Sequence, residues 1–350
     1  MRISLNTEKI DLKSLTREQL VEFLAVFGKE KYRAKQILNW IYQRNITDFE
    51  QMTDLAKQFR AQLAERAYVS SWQPEVVETS SDGTVKYLFR LTDGESVEAV
   101  RIPMDADRAT LCISTQVGCA MGCQFCLTGK FGLTRDLRPE EIVNQVCAAL
   151  VDGPIGNIVL MGMGEPLHNL DNVVTALEIL YLDDGLGYGT RRITLSTCGL
   201  VPEIVELSKR IKVNLAVSLN ATTDDLRGQL MPINKRYPLA ELMLACRDYA
   251  LTTKQRVTFE YILLGGVNDS LVAAKQLVKL LHGVRCKVNL IAYNEHDGAE
   301  FIAPTKETVK AFQNYLLQRD IVATLRASKG QDISAACGQL KGKLDNIEQH

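Results

Sequence analysis

The hydrophobic period of the chain changes twice. Up to about residue 75, apolar residues recur every three to four positions, the stripe of an amphipathic helix. Leu20, Phe23, Leu24 and Phe27 form one stripe, opened by Thr16-Arg17-Glu18-Gln19, which has the form of a capping box. Ala34, Ile37, Leu38, Ile41 and Tyr42 form a second between Arg33 and Tyr42. Met52, Leu55, Ala56, Phe59 and Leu63 form a third between Met52 and Glu65. From 76 to 102 the period falls to two, and Thr84–Leu91 and Ser96–Ile102 read as strands around the turn Thr92-Asp93-Gly94.

Beyond residue 110, strand and helix patterns alternate. Strands are predicted at Leu111–Val117, Asn157–Met161, Arg192–Thr197, Val213–Leu219, Val257–Leu264, Lys287–Ala292 and Ile321–Arg326. Helices are predicted between them at Pro139–Leu150, Val173–Tyr181, Pro202–Arg210, Leu239–Leu251, Leu271–Leu281 and Lys306–Leu317. Such alternation gives parallel strands joined by right-handed crossovers. Six or so units suit an incomplete TIM-like (β/α)6 barrel of the α/β class. The expected domains are a helical one at 1–75, a β-hairpin linker at 76–107 and the core at 108–350. Function in such a core belongs at the carboxyl ends of its strands.

Composition narrows the classes. The 350 residues are 46% hydrophobic and 24% charged, ordinary for a globular protein. No apolar run reaches the ~18 residues of a membrane span, so no membrane partner is expected. Met1–Asn6 lacks the apolar core of a signal peptide. Nine unevenly spaced cysteines fit a reducing, cytoplasmic location better than a disulfide framework. With a net charge of −1, a nucleic-acid partner must rest on local patches, such as Lys29, Lys31, Arg33 and Lys35.

Three of those cysteines lie within Val117-Gly118-Cys119-Ala120-Met121-Gly122-Cys123-Gln124-Phe125-Cys126. The two glycines let the backbone turn tightly and bring three sulfurs together. Thiolates suit soft metals and iron–sulfur clusters. Carriers hold their cluster with four cysteines; a cluster held by three leaves one iron open to a small molecule. Zinc would also use clustered cysteines, but usually as repeated pairs. No second pair follows, and His168, His282, His296 and His350 show no ligand spacing. An electron carrier stays open as an alternative, with Cys112 as its fourth ligand.

Other candidates gather at the predicted strand ends. The second core strand runs into Gly162-Met163-Gly164-Glu165-Pro166, where glycines admit a close ligand and Glu165 offers an acceptor for an ammonium. Ser196 ends the third strand, Ser218, Leu219 and Asn220 the fourth, and Asn294 follows the sixth. Cys337 lies beyond the last strand, where Gly330 and Gly338 suggest a flexible loop able to present its sulfur. Glu98 sits in a strand, where a lone carboxylate usually faces solvent. Cys147, Cys198, Cys246 and Cys286 sit in or beside apolar elements and read as structural.

The CxxxCxxC spacing, with an aromatic before the last cysteine, resembles the radical S-adenosylmethionine (SAM) superfamily. Together with Arg108–Cys112, Gly162–Leu167, Pro232-Ile233-Asn234 and Asp332–Leu340, it resembles the RlmN/Cfr family of RNA methyltransferases over nearly the whole chain. Phe27–Ala34 and Phe49–Asp54 fit the branch that methylates adenine C2 better than the one that methylates C8. The resemblance implies a radical SAM barrel with one [4Fe–4S] cluster and SAM as cofactors. It implies Cys119, Cys123 and Cys126 as cluster ligands, Cys337 as methyl carrier, Cys112 as its resolving partner and Glu98 as proton acceptor. It implies Gly164, Glu165, Ser196, Ser218, Leu219, Asn220 and Asn294 as SAM contacts, with Asn220 where some relatives carry His. The implied partners are 23S rRNA (adenosine 2503), tRNA (adenosine 37) and a one-electron donor such as flavodoxin or ferredoxin. A basic RNA-holding face would include Lys130, Arg135 and Arg138.

Overall fold

The structure is a computed structural model that describes residues 9–104, 108–295 and 300–340. Met1–Asn6, His296 and His350 lie outside the described residues. The chain forms two compact units. One comprises Met1–Gln73, Arg138–Gly153 and Asp171–Gly189; the other comprises Pro74–Leu137, Pro154–Leu170 and Thr190–His350. Among the described residues, no helix is long and apolar enough to cross a membrane.

In the first unit the capping box is present. The Thr16 hydroxyl accepts from the Gln19 amide, the Gln19 side chain accepts from the Thr16 amide at 2.9 Å, and helix Arg17–Ala25 follows. The second stripe forms helix Tyr32–Leu38 and continues as a π turn over Asn39–Gln43. The third stripe is helical only from Lys57 to Arg66. Met52 and Leu55 keep their buried places, but on a tight turn after Phe49–Gln51, which Asp48 caps. Apolar spacing alone does not register that interruption. Helix Pro139–Ala149 and most of Leu170–Tyr181 cluster here too. Their apolar faces are fully buried at Ile142, Val143, Val146, Val173, Leu177 and Leu180 or nearly so. The buried Lys13 ammonium donates to Asn144 Oδ1 at 2.8 Å, so a charge inside this unit is at least hydrogen-bonded.

The second unit is built on one ten-stranded sheet. Its strands are β1 Val76–Thr79, β2 Val85–Arg90, β3 Ser96–Pro103, β4 Ala109–Cys112 and β5 Ile155–Leu160. They continue as β6 Ile193–Thr197, β7 Asn214–Ser218, β8 Val257–Leu263, β9 Cys286–Ala292 and β10 Ala323–Arg326. Each strand neighbours its successor across the sheet. β1 to β4 pair antiparallel, and β4 to β10 run parallel. Seven parallel strands thus carry six helical crossovers, the open (β/α)6 barrel expected from the alternation. Their near-continuous apolar runs, such as Leu215, Ala216 and Val217, suit strands covered on both faces. The predicted hairpin is β2–β3, and it continues the core sheet through the ladder pairing Val100 with Cys112.

The first core strand is shorter than the predicted Leu111–Val117. After Ile113, whose amide bonds Val159 O at 3.0 Å, the chain leaves the sheet. The amides of Thr115 and Gln116 turn to Met163 O instead. Gln116–Gly118 then pairs antiparallel with Leu133–Asp136, so a separate ribbon carries the chain into the cysteine stretch.

Candidate active site

The cysteine loop is held by its own neighbourhood. Gly118 has φ +77°, and a Cβ there would meet Gly132 O at 2.0 Å, so only glycine fits. The Cys119 amide donates to that same carbonyl at 2.7 Å. The Cys126 amide donates to Cys123 O at 3.1 Å, and the Gln124 amide to Leu230 O at 2.9 Å. Burial raises the Cys119 thiol to about 12 and pushes Cys123 and Cys126 up as well. Cys126 adds to the rise at Cys119, and both add to the rise at Cys123. The Thr128 and Gly129 amides oppose that rise at Cys126. Among the described residues no three side chains converge on a single-ion site.

Two adjoining cavities meet at this loop. The first is lined by Cys119, Cys123, Cys126, Gly164, Glu165, Ser196, Ser218 and Glu260 among others. The second is lined by Cys112, Cys126, Asn294 and the tail around Cys337. Cys126, Met161, Gly162, Arg326 and Cys337 line both. Cys337 therefore stands where the three-cysteine cavity opens towards Cys112.

The Gly162–Pro166 turn is packed against the chain leaving β4. A Cβ on Gly162 would meet Ile113 O at 2.7 Å, and one on Gly164, at φ +102°, would meet Gln116 Cβ at 2.6 Å. The buried Gln116 side chain accepts from the Glu165 amide at 2.8 Å and donates to Asp136 at 2.6 Å. The Glu165 carboxylate is buried, accepts from the Leu167 amide at 3.1 Å and the Cys198 amide at 2.8 Å, and is raised chiefly by desolvation.

The strand-end residues do not all share this wall. Gly164, Glu165, Ser196 and Ser218 do. Leu219 and Asn220 are fully buried and line neither cavity. Asn220, at φ +56°, accepts the Ile262 amide at 2.9 Å and takes a bond from Asn268 on its carbonyl. Asn294 lines the Cys112 side and accepts from Gln331 Nε2 at 2.7 Å.

Glu98 corrects the expectation of a solvent-facing carboxylate, being only 4% exposed. It pairs opposite Leu88 inside the sheet, and Lys86 Nζ lies 3.6 Å from it. Its side chain shares a strand face with Val100 and Ile102, which line the Cys112 cavity. The tail corrects the expectation of a flexible loop. The Leu127 amide donates to Gly338 O at 2.8 Å, the Thr128 hydroxyl to Leu340 O at 2.7 Å, and Lys86 Nζ to Ile333 O at 2.7 Å.

Three charged residues escaped the reading of the sequence. Arg326 ends β10 and lines both cavities; Cys337 and Glu260 favour its charge. Its strand-end position was a usable signal. Glu260 interrupts the apolar run of β8, and that interruption was its signal; Asn289 donates to one oxygen at 3.2 Å. Arg227 is fully buried and donates to the carbonyls of Cys198 (2.7 Å), Ser218 (3.0 Å) and Leu219 (3.1 Å), tying two strand ends together. No local pattern announces it. Among the basic candidates, Lys29 lies over the Phe59 ring, Arg33 bonds Gln36, and Lys35 pairs with Asp184 at 3.2 Å. Arg135 pairs with Asp93 and Arg138 with Glu140, while Lys31 and Lys130 are exposed.

The chain matches two family models. Residues 10–69 match the ribosomal RNA large subunit methyltransferase N-terminal domain, and residues 113–278 match the radical SAM superfamily. The dual-specificity RNA methyltransferase RlmN of Syntrophotalea carbinolica is 64% identical, covering 98% of this chain and 93% of its own. That of Geobacter sulfurreducens is 58% identical, with 97% and 94% covered. A radical SAM methyltransferase structure from Sphaerobacter thermophilus superposes with a TM-score of 0.89 at 47% identity, covering 95% of this chain and all of that one.

Proposed function

The chain belongs to the RlmN family of radical SAM RNA methyltransferases, and from that premise we propose that it methylates adenine C2 through Cys337, which carries the methyl group to the base. The proposed substrates are 23S rRNA at adenosine 2503 and tRNA at adenosine 37. The observation that carries this reading is the place of Cys337 at the junction of two cavities, one walled by Cys119, Cys123 and Cys126, the other by Cys112.

The donor set fits a [4Fe–4S] cluster: three thiols lining one cavity, whose burial disfavours ionisation unless iron binds them. Cys119, Cys123 and Cys126 would hold it, and with SAM it would supply a 5′-deoxyadenosyl radical by one-electron cleavage. Gly164, Glu165, Ser196 and Ser218 form the wall that receives SAM. Leu219 and Asn220 support that wall from behind through their backbone bonds. Asn294 completes the SAM contacts from the Cys112 side.

Adenine C2 is electron-poor and cannot displace a methyl group from SAM; a thiolate can. Cys337 takes the methyl group from one SAM. A hydrogen atom lost from that S-methyl to the 5′-deoxyadenosyl radical would let its carbon bond C2, which joins enzyme and RNA. Glu98 accepts the C2 proton, and the odd electron of the adduct would return to the cluster. Cys112 then attacks the Cys337 sulfur, a disulfide forms as the carbon–sulfur bond breaks, the departing methylene carbon takes up a proton, and methyladenosine leaves. Reduction of that disulfide resets the enzyme. The target base must leave its stack to reach the site, and exposed Lys31 and Lys130 are suited to hold phosphates. A flavodoxin- or ferredoxin-class protein supplies the electron in the cytoplasm.

Treated rRNA and tRNA are digested and the nucleosides compared with C2- and C8-methyladenosine standards by chromatography and mass. C2-methyladenosine is expected from both RNAs. C8-methyladenosine, or unmodified RNA with active enzyme, overturns the assignment.

A further inference from the structure

We propose that the turn between β1 and β2 is a latch that sets where Cys337 stands, with Asp82 and Asp332 as its positioning residues. This rests on the reading of Cys337 as methyl carrier.

The contacts are reciprocal. Asp332 accepts from the Ser80 hydroxyl at 2.6 Å and the Ser81 amide at 3.1 Å. Asp82 accepts from the Gly330 amide at 3.1 Å and, with its other oxygen, from the Thr84 amide at 2.9 Å. Bonds to an ionised carboxylate are stronger than neutral ones. Desolvation raises Asp82, but bonds from Thr84, Gly330 and Ser80 outweigh it and hold the carboxyl at about 2. Ser80 and Ser81 lower Asp332. Both groups are anionic throughout the neutral range, so the latch is a fixed clamp and not a pH switch.

The tail is shaped to meet it. Gly330 has φ +65°, and a Cβ there would meet Ala335 Cβ at 2.8 Å and Thr84 Cγ2 at 2.9 Å. Ser334 is also left-handed, at φ +50°. The Ala335 amide closes the segment on Gly330 O at 2.8 Å, making a hook. Cys337 follows the hook and precedes Gly338, whose carbonyl is bound to the cysteine loop. Its sulfur is thus suspended between two clamps. The second clamp alone would leave it free to swing between the two cavities, whereas its proposed work needs it within reach of both.

The test uses full-length, cluster-loaded protein under anaerobic conditions, as wild type, Asp332→Ala, Ser80→Ala and the double variant. Iodoacetamide labelling of Cys337 is followed by peptide mass spectrometry with Cys112 as reference. Ser80→Ala should raise the labelling rate of Cys337 relative to Cys112 about tenfold, the loss of one charge-assisted bond, and Asp332→Ala by more, because it also loses the bond from the Ser81 amide. The double variant should do no more than Asp332→Ala, because that substitution already removes the Ser80 bond. Ser80→Thr, which keeps the hydroxyl, should restore the wild-type rate. Where Cys337 is already methylated, amide exchange over residues 330–337 gives the same reading, faster in the variants. Unchanged labelling and exchange, or effects that multiply, would overturn the latch. RNA methylation by Cys337→Ala would remove the carrier reading while leaving the exchange result standing.

Discussion

The cysteine loop and the tail supply sulfurs to the same pair of cavities, yet they are held in opposite ways. The loop is anchored mostly by its own neighbours, Cys119 on Gly132 and Cys126 on Cys123, with one distant bond from Gln124 to Leu230. The tail is anchored by residues some 250 positions away, with 252 separating Ser80 from Asp332. Local anchoring leaves a signature in spacing, because the turn and its ligands are one short stretch. Distant anchoring leaves none. The same difference explains why three sulfurs can be fixed rigidly for a metal cluster, while the fourth can be placed by a clamp that a substitution elsewhere would loosen.

That contrast can be broken by experiment. The largest effect is expected from Cys123→Ala, which should abolish cluster assembly. Iron and sulfide analysis checks it, and a full cluster signal in the variant would remove the loop's role. Gly164→Ala comes next: its Cβ would lie 2.6 Å from Gln116 Cβ on a backbone at φ +102°. Urea unfolding should show a loss of about 2 kcal/mol or more, with weaker SAM binding by titration calorimetry. Unchanged stability would mean the turn adjusts freely. The smallest effect is from Thr16→Ala, which removes the capping box for about 1 kcal/mol. RNA methylation should be untouched, since the first unit is fixed by contacts of its own.

The tail clamp has a pH dependence of its own. Asp82 titrates at about 2 in the folded protein, below its ordinary 3.8. Its contribution is fully present above that ordinary value and is lost as pH falls through about 2. Amide exchange of the tail, corrected for its intrinsic rate, should therefore stay constant between about pH 6 and 8. A change there would point to another titrating group in the clamp.

Much of the fold was legible because period reports what a strand or helix buries. The seven parallel strands and most helices stand near their expected positions. The misses have physical causes. Met52 and Leu55 keep helical spacing while sitting on a turn, since burial needs direction and not helix. Glu98 is buried because β3 lies inside a ten-stranded sheet, which its own alternation cannot reveal. Arg227 acts on carbonyls of two other elements, so nothing near it in the chain predicts its work. Asn220 looked like a cavity residue from its strand-end position, but its amide is spent on Ile262 and Met231.

The measurement that bears most directly on Cys337 as methyl carrier uses SAM bearing a deuterated methyl group. Cluster-loaded enzyme is incubated first with that SAM and then with RNA, and both are analysed by mass spectrometry. The label should appear on the Cys337 peptide and then in C2-methyladenosine, with Cys112→Ala trapping an enzyme–RNA crosslink. Labelled methyladenosine formed by Cys337→Ala at the wild-type rate would contradict it.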